Sequence, residues 1–228
     1  MEPHTALVRR AWPRQIAFLI FLLAVLFGAA GTLDYWQAWL FLASYFVASL
    51  LLSLWLMRHD PALLQRRMRG GPFAEDERSQ KIIMTITSIG FVALLVVPGL
   101  DRRFEWSEMP TAVAILGDLL LLAGWYGIFV VFRANSYAAA TIQVTSGQKV
   151  ISTGPYAIVR HPMYATALLM LLGIPLSLAS WWGVLVWAAL LPTLAWRLID
   201  EEQVLLRDLD GYADYRRKAR WRLIPGIW

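Results

Sequence analysis

The sequence predicts an all-α protein, a polytopic transmembrane helical bundle of about six spans with both termini in the cytoplasm. Three observations support this fold class. First, 58% of the 228 residues are hydrophobic and 16% are charged, against about 45–50% and about 25% in ordinary soluble domains. Second, the charges are clumped, which leaves long apolar runs between them. Third, the 12 Trp and 8 Tyr residues suit the membrane–water interface. This composition excludes a disordered chain, a disulfide scaffold and an ordinary soluble globule.

Six stretches are apolar and long enough, or nearly so, to form helices that cross a bilayer, which takes about 20 residues. They are residues 16–33, 35–57, 82–100, 111–132, 163–179 and 181–198. The last two should form a tight helical hairpin, because little more than Ser180 separates them. Between the second and third spans, residues 61–68 are predicted to form a short interfacial helix with Leu63 and Leu64 facing lipid.

The positions of the basic residues predict the topology. Of the 21 Lys and Arg residues, all except Arg102 and Arg103 fall in the N-terminal tail, the second and fourth loops and the C-terminal region. An even number of spans puts these regions on one side of the membrane. The positive-inside rule identifies that side as the cytoplasm. We therefore interpret the net charge of +5 as a topology signal beside anionic lipid and expect no nucleic-acid partner.

The chain divides into two predicted regions. Residues 1–133 hold four N-terminal transmembrane helices and a cytoplasmic loop at 58–81, whereas residues 134–228 form a second region. This second region comprises a polar loop, the transmembrane hairpin and a cytoplasmic C-terminal segment. Its polar residues form a first block, 135–164, and a second block, 197–228, on either side of the hairpin. Because a hairpin returns both ends to one place, the two blocks should be adjacent in space.

The first block leads into the fifth span through a predicted helix entrance. Gly154-Pro155 is a turn, and Pro162 suits the first turn of a helix, where its missing N–H is harmless. Arg160 and His161 therefore lie near free N–H groups and the positive end of the helix dipole. Such a place suits an anion, for example a carboxylate of a cofactor. The alternatives are a snorkelling anchor for Arg160 and a capping or core role for His161.

The second block begins with an acidic tract that its helix does not favour. Asp200, Glu201 and Glu202 follow one another at the C-terminal end of the last span, where the helix dipole prefers cations. A compensating cationic partner or a function is therefore expected. Arg197 lies four residues before Glu201 and shares its helix face, so an ordinary intrahelical salt bridge is the alternative to a functional role.

Several other kinds of site are disfavoured by the sequence. Three His and no Cys argue against a zinc or iron centre, and no metal is expected. Asp118 is the main candidate carboxylate within the spans, which is too little for an ion pathway. Gly124 and Gly127 within the fourth span are interpreted as a surface for close helix packing.

Five motifs carry a resemblance to a known family. They are Gly154-Pro155-Tyr156, Arg160-His161-Pro162-Met163-Tyr164, Asp200-Glu201-Glu202, Gly211-Tyr212 with Tyr215-Arg216, and Leu223-Ile224-Pro225-Gly226. With this order and spacing around a hairpin, residues 134–228 resemble the isoprenylcysteine carboxyl methyltransferase family of membrane enzymes. Within the first four spans the chain offers hydropathy alone.

The resemblance implies S-adenosylmethionine bound in a cytoplasm-facing pocket and a lipidic acceptor that enters from the bilayer. The implied cofactor-binding residues are Gln148, Lys149, Val150, Ile151, Tyr156, Arg160, His161, Pro162, Met163, Tyr164, Glu201 and Glu202. Gln143 is a further candidate. Arg197 would bind the acceptor, and Arg197 and Glu201 are the implied catalytic residues.

The expected function is S-adenosylmethionine-dependent carboxyl O-methylation of an isoprenylcysteine or a related lipidic carboxylate, in a bacterial inner membrane. A carboxylate acceptor needs a cation such as Arg197, because it is already a nucleophile. The first alternative is N-methylation of a phospholipid headgroup such as phosphatidylethanolamine, which would need a base to deprotonate the amine. The second alternative is a non-catalytic membrane protein or transporter that binds no S-adenosylmethionine.

Overall fold

The structure, a computed structural model, describes residues 4–68, 70–71, 77–138, 140–141, 144 and 147–228. Over these residues the chain is helical and contains no strand. In chain order the helices are α1 (His4–Ala30), α2 (Trp36–His59), α3 (Pro61–Arg67), α4 (Arg78–Phe104), α5 (Thr111–Ala134), α6 (Pro162–Ser177), α7 (Trp181–Asp208) and α8 (Tyr212–Lys218). A 3-10 helix, Gly154–Ala157, precedes α6.

The helical membrane-bundle fold class is confirmed. Five helices, α1, α2, α4, α5 and α7, are long and apolar enough to cross a membrane, so the chain is an integral membrane protein. The remaining predicted span is α6, which has 16 residues. At 1.5 Å per residue α6 is roughly 24 Å long, less than the hydrocarbon core of a bilayer. We call the end of the bundle where α2, α5 and α7 finish the site end, and the opposite end the turn end.

Helices from both predicted regions share one core. The buried cluster near the middle of the bundle contains Leu22 of α1, Phe41 of α2, Leu94 of α4, Leu121 of α5 and Ile174 of α6. Each of these side chains is fully buried. Because lipid is as apolar as these side chains, van der Waals packing rather than water exclusion holds such helices together. The core therefore fixes α6 and α7 against α1, α2, α4 and α5.

Glycines let α5 and α6 approach closely, which confirms the packing interpretation of Gly124 and Gly127. A Cβ atom on Gly124 would lie 2.5 Å from the Cβ of Met170. One on Gly127 would lie 2.3 Å from the Cγ2 of Thr166. These separations leave no room for a methyl group, so the small residues set the distance between the two helices.

The short helix α3 forms as predicted, but it faces the protein rather than lipid. Asp60 caps it, since its carboxylate accepts a hydrogen bond of 2.9 Å from the backbone N–H of Leu63. Leu63 and Leu64 are buried in a cluster with Leu7 of α1 and Leu56 of α2. The predicted lipid-facing orientation is therefore wrong, because α3 folds back beneath α1 and α2.

At the turn end, the buried carboxylate of Asp101 holds the α6–α7 hairpin against α4. Its Oδ2 accepts hydrogen bonds from the hydroxyls of Ser107 and Ser180. The Ser180 Oγ in turn accepts a hydrogen bond of 2.9 Å from the N–H of Gly183 and so caps α7. The hairpin is thus anchored at the turn end, which fixes where its two other ends emerge.

At the site end, the chain after α7 turns back toward the start of α6. Gly211 makes this turn with a φ of +82°, in the left-handed region that favours glycine. Beyond α8, the backbone N–H groups of Arg160 and His161 donate to the carbonyls of Trp221 and Arg222, at 2.8 and 2.9 Å. The first and second blocks are therefore in direct contact.

Enlarging Gly124 should loosen the α5–α6 contact. We expect Gly124→Ala to lower the stability of the purified protein in detergent by about 1–3 kcal/mol, because the new methyl group overlaps the backbone of Met170. The control is Gly28→Ala in α1, where a Cβ meets nothing within 4 Å. There the change should be neutral or stabilising by up to about 1 kcal/mol. Equal melting temperatures for the two variants would contradict the packing account.

Candidate functional site

A cavity of about 450 Å³ lies at the site end of the bundle, within the size range of small-molecule sites. It has a polar limb and an apolar limb. The polar limb is lined by residues 148–151, the 3-10 helix, the start of α6, the end of α7 and α8. The apolar limb runs between the transmembrane helices and is lined by Met84, Ile128, Met170, Leu171 and Leu194. One cavity therefore joins a polar pocket to the interior of the bundle.

The structure brings nearly all the candidate residues to this cavity. Those that line it are Gln148, Lys149, Val150, Ile151, Tyr156, Arg160, His161, Pro162, Met163, Tyr164, Arg197 and Glu201. Of the candidates in the described part of the chain, Glu202 alone is absent from the wall. Gln143 lies outside the described residues. The predicted adjacency of the two blocks is thus observed.

Glu202 instead lies behind the wall in a buried cluster of charges. One carboxylate oxygen accepts from Arg160 Nε at 2.6 Å and lies 3.1 Å from His161 Nε2. The other accepts from Arg222 Nε at 3.0 Å. The side chains of Arg160 and Glu202 are each only 5% exposed. The expected cationic partner of the acidic tract therefore exists, and it joins α7 to the start of α6 and to the C-terminal segment.

The backbone amides of Arg160 and His161 themselves are not free at this helix entrance. Both amides donate to carbonyls of the C-terminal segment, as described above. The guanidinium of Arg160 also donates from Nη1 to the carbonyls of Ala219 and Arg220, at 2.9 and 2.8 Å. The predicted adjacency of the two blocks did not specify that carbonyls 60 residues away would be the partners of this entrance. Arg160 and His161 line the cavity, but their backbone amides and the Arg160 guanidinium bind the C-terminal segment and so stabilise the cavity wall.

Glu201, Tyr164 and Arg197 form a hydrogen-bonded row on the cavity wall. The Tyr164 hydroxyl donates to the Glu201 carboxylate at 2.5 Å. Arg197 Nε donates to the same hydroxyl oxygen at 3.2 Å, and the Arg197 side chain is otherwise buried. The Glu201 carboxylate and the Arg197 guanidinium are thus held side by side. The carboxylate could bind a cationic group of a ligand, and the guanidinium could bind an anionic group.

Three tyrosines shape the polar limb. The Tyr156 hydroxyl accepts a hydrogen bond of 2.8 Å from the amide of Asn135, and burial raises the pKa of Tyr156 to about 12. Tyr156 therefore stays an uncharged phenol at neutral pH. The hydroxyl of Tyr215 donates to the backbone carbonyl of Tyr156 at 2.8 Å, which anchors the 3-10 helix to α8. The hydroxyl of Tyr212 is buried and has no hydrogen-bond partner among the described residues.

Sequence reasoning missed the contribution of the N-terminal helices to the cavity. Arg67 of α3 and Met84 and Thr87 of α4 line it, although the region 1–133 had been assigned no residue of the site. Arg67 had counted only as a positive charge on the cytoplasmic side. No local motif marks these residues, because their positions depend on how the helices pack.

One comparison with known proteins bears on this geometry. Residues 112–209 match the family model of phospholipid methyltransferases. The matched segment runs from α5 to the end of α7 and includes most of the first block and the acidic tract. It supports a membrane methyltransferase and is equally compatible with a carboxylate and a phospholipid acceptor. No curated protein matches the chain.

Removing the charge of Glu202 should destabilise the protein. In the Glu202→Gln variant, Arg160 and Arg222 lose their shared counter-charge in a buried place, which typically costs about 3–5 kcal/mol. The measurement is the melting temperature of the purified protein in detergent. Asp208→Asn, on the exposed end of the same helix, is the matched control and should leave that temperature unchanged. Equal stability of both variants would show that the cluster does not hold the two blocks together.

Proposed function

We propose that this chain is an S-adenosylmethionine-dependent methyltransferase that methylates the carboxylate of an isoprenylcysteine or a related lipidic acceptor. The observation that carries the proposal is that the polar limb and the apolar limb belong to the same cavity. A polar donor molecule and a greasy acceptor must meet at one point in such a reaction. The family match to residues 112–209 supports the methyltransferase class.

The residues of the polar limb suit S-adenosylmethionine. The Glu201 carboxylate can accept hydrogen bonds from the ammonium or ribose of the cofactor. The Tyr212 hydroxyl, which is unpaired among the described residues, offers a buried polar group that a ligand would satisfy. Lys149, exposed at the cavity, offers a cation for the cofactor carboxylate, in place of the amides of Arg160 and His161. We assign Glu202 a positioning role, because Arg160, His161 and Arg222 already surround it.

When bound, the cofactor supplies an electrophilic methyl group on a sulfonium. The task of the protein is then to align the acceptor oxygen with that group and to keep water out. Orientation alone can supply about 7–11 kcal/mol of the barrier reduction. The guanidinium of Arg197 donates to Tyr164, Gln80 and the Ala140 carbonyl, and its positive charge can orient a carboxylate at the cavity wall. Its position beside Tyr164 and Glu201 puts the acceptor next to the cofactor residues.

The apolar limb suits the hydrocarbon chain of the acceptor. Met170 and Leu171 lie on α6 beyond Pro162, so at 1.5 Å per residue the cavity reaches roughly 12 Å along that helix. Leu194 of α7 and Met84 of α4 complete this wall. An acceptor could therefore reach Arg197 while its chain stays within the membrane. The distribution of Lys and Arg supports a cytoplasmic position for the site end in a bacterial inner membrane.

The description of the matched family model names phospholipid, which makes a phospholipid amine such as phosphatidylethanolamine a second candidate acceptor. An ammonium headgroup must lose a proton before it can attack a methyl group. Among the described residues that line the cavity, Glu201 is the carboxylate available for that step. The Tyr164 hydroxyl already occupies one oxygen of this carboxylate. The Arg197 guanidinium beside it supplies the cation that a carboxylate acceptor needs. This arrangement is the reason to prefer the carboxylate acceptor.

Labelling distinguishes these acceptors. Purified protein is incubated with methyl-labelled S-adenosylmethionine and an extract of native membrane lipids. The proposal predicts label in the lipid fraction that mild base converts to volatile methanol, because methyl esters hydrolyse to methanol and methylamines do not. Label that stays non-volatile after base treatment would identify the phospholipid amine instead. A protein that binds no S-adenosylmethionine and transfers no label would be non-catalytic.

Neutralising Glu201 should weaken cofactor binding. We expect Glu201→Gln to lower the affinity for S-adenosylmethionine by on the order of tenfold or more, because an ionised hydrogen-bond acceptor is lost. Isothermal titration calorimetry on folded protein in detergent measures this change. The control is Asp210→Asn, at an exposed position beyond the end of α7. Unchanged affinity in Glu201→Gln would remove Glu201 from the cofactor site.

Truncating Arg197 should damage turnover more than cofactor affinity. Arg197→Ala removes the guanidinium that orients the acceptor, so kcat/KM for the acceptor should fall by on the order of a hundredfold. The dissociation constant of S-adenosylmethionine should change far less. Arg207→Ala, at an exposed arginine on the same helix, is the matched control. Normal turnover in Arg197→Ala would reject its acceptor role.

A further inference from the structure

Gln80, in the first turn of α4, connects two residues of α7 at the site end. Its side chain is buried, with 1% of the residue exposed. Its amide nitrogen donates to the Asp200 carboxylate, and its amide oxygen accepts a hydrogen bond of 2.8 Å from Arg197 Nη1. The two partners fix the orientation of the amide, since a carboxylate needs a donor and a guanidinium needs an acceptor. Gln80 lies outside the residues that match the methyltransferase family model.

We infer that Gln80 is a positioning residue that aims the Arg197 guanidinium at the acceptor. The inference rests on the proposed function. An arginine side chain has many rotamers, and ordering it costs conformational entropy. Gln80 on α4 holds Nη1, the Tyr164 hydroxyl on α6 holds Nε and the Ala140 carbonyl holds Nη2 at 3.1 Å. The plane of the guanidinium, and hence its fit to a carboxylate, is set before the acceptor arrives.

Asp200 holds the amide nitrogen of Gln80, on the other side of the amide from Arg197. Asp200 and Arg197 are three residues apart on α7 and therefore share a helix face. The Asp200 carboxylate also accepts a hydrogen bond of 2.8 Å from the Ser79 hydroxyl. By accepting a hydrogen bond from the Gln80 amide nitrogen, Asp200 keeps the amide oxygen of Gln80 directed at Arg197. Asp200 thereby has a role at the site although it is not among the described residues that line the cavity.

Gln80 contacts Arg197 directly, whereas it reaches the proposed cofactor-binding carboxylate of Glu201 only through Arg197 and the Tyr164 hydroxyl. A change at Gln80 should therefore alter acceptor kinetics and leave cofactor affinity almost unchanged. A general loss of folding would lower both together.

The test compares Gln80→Met, which keeps the side-chain length, with Ser79→Ala on the neighbouring residue. The acceptors are an S-farnesylcysteine with a free carboxylate and, in a second arm, vesicles containing phosphatidylethanolamine. We expect Gln80→Met to lower kcat/KM for the acceptor by on the order of tenfold to a hundredfold. S-adenosylmethionine affinity should stay within about twofold, and Ser79→Ala should resemble the wild type, because Gln80 still donates to Asp200.

A double-mutant cycle with Arg197→Lys shows whether Gln80 works through Arg197. If it does, the Gln80→Met change should cost much less in the Arg197→Lys background than in the wild type. Additive effects, or equal losses of cofactor affinity and acceptor turnover, would overturn the inference. A wild-type protein that binds and transfers methyl groups while Gln80→Met behaves normally would reject this inference alone. A wild type that methylates neither acceptor would reject the proposed function and this inference with it.

Discussion

The geometry of the site depends on the buried carboxylate of Glu202. It accepts hydrogen bonds from Arg160 before α6 and from Arg222 in the C-terminal segment, and it lies beside His161. Burying these charges is costly, so the cluster is favourable only while every member is satisfied. The carbonyls of Ala219 and Arg220 both accept from Nη1 of the Arg160 guanidinium. Residues far apart in the chain are thereby held at one end of the bundle, and the cavity is the space they enclose with the helices.

The acidic tract at the end of α7 uses three neighbouring side chains in three directions. Successive residues of a helix point about 100° apart. Asp200 therefore reaches Ser79 and Gln80 of α4, Glu201 faces the cavity and Tyr164, and Glu202 meets the start of α6. Acidic residues at a helix C-terminus oppose the dipole. Here each one gains a separate set of donors, and α7 becomes the element that connects α4, α6 and the C-terminal segment.

The sequence predicted the helices and the meeting of the two blocks, because span length and hairpin geometry are local properties. Tyr156 and Glu201 line one cavity as the blocks implied. The sequence did not predict the orientation of Leu63 and Leu64, because an amphipathic segment has the same sequence pattern whether lipid or protein covers its apolar face. It also missed Gln80, whose only distinction is contact with α7. Such contacts depend on how whole helices pack, which hydrophobic periodicity does not encode.

The central claim is that the two blocks enclose one site for a sulfonium donor. The most direct measurement is ultraviolet cross-linking of radiolabelled S-adenosylmethionine to the purified protein, followed by proteolysis and mapping of the label. The account predicts saturable labelling within residues 147–164 or 197–215, reduced by excess unlabelled S-adenosylhomocysteine. Absence of saturable labelling, or label confined to peptides at the turn end, would contradict it.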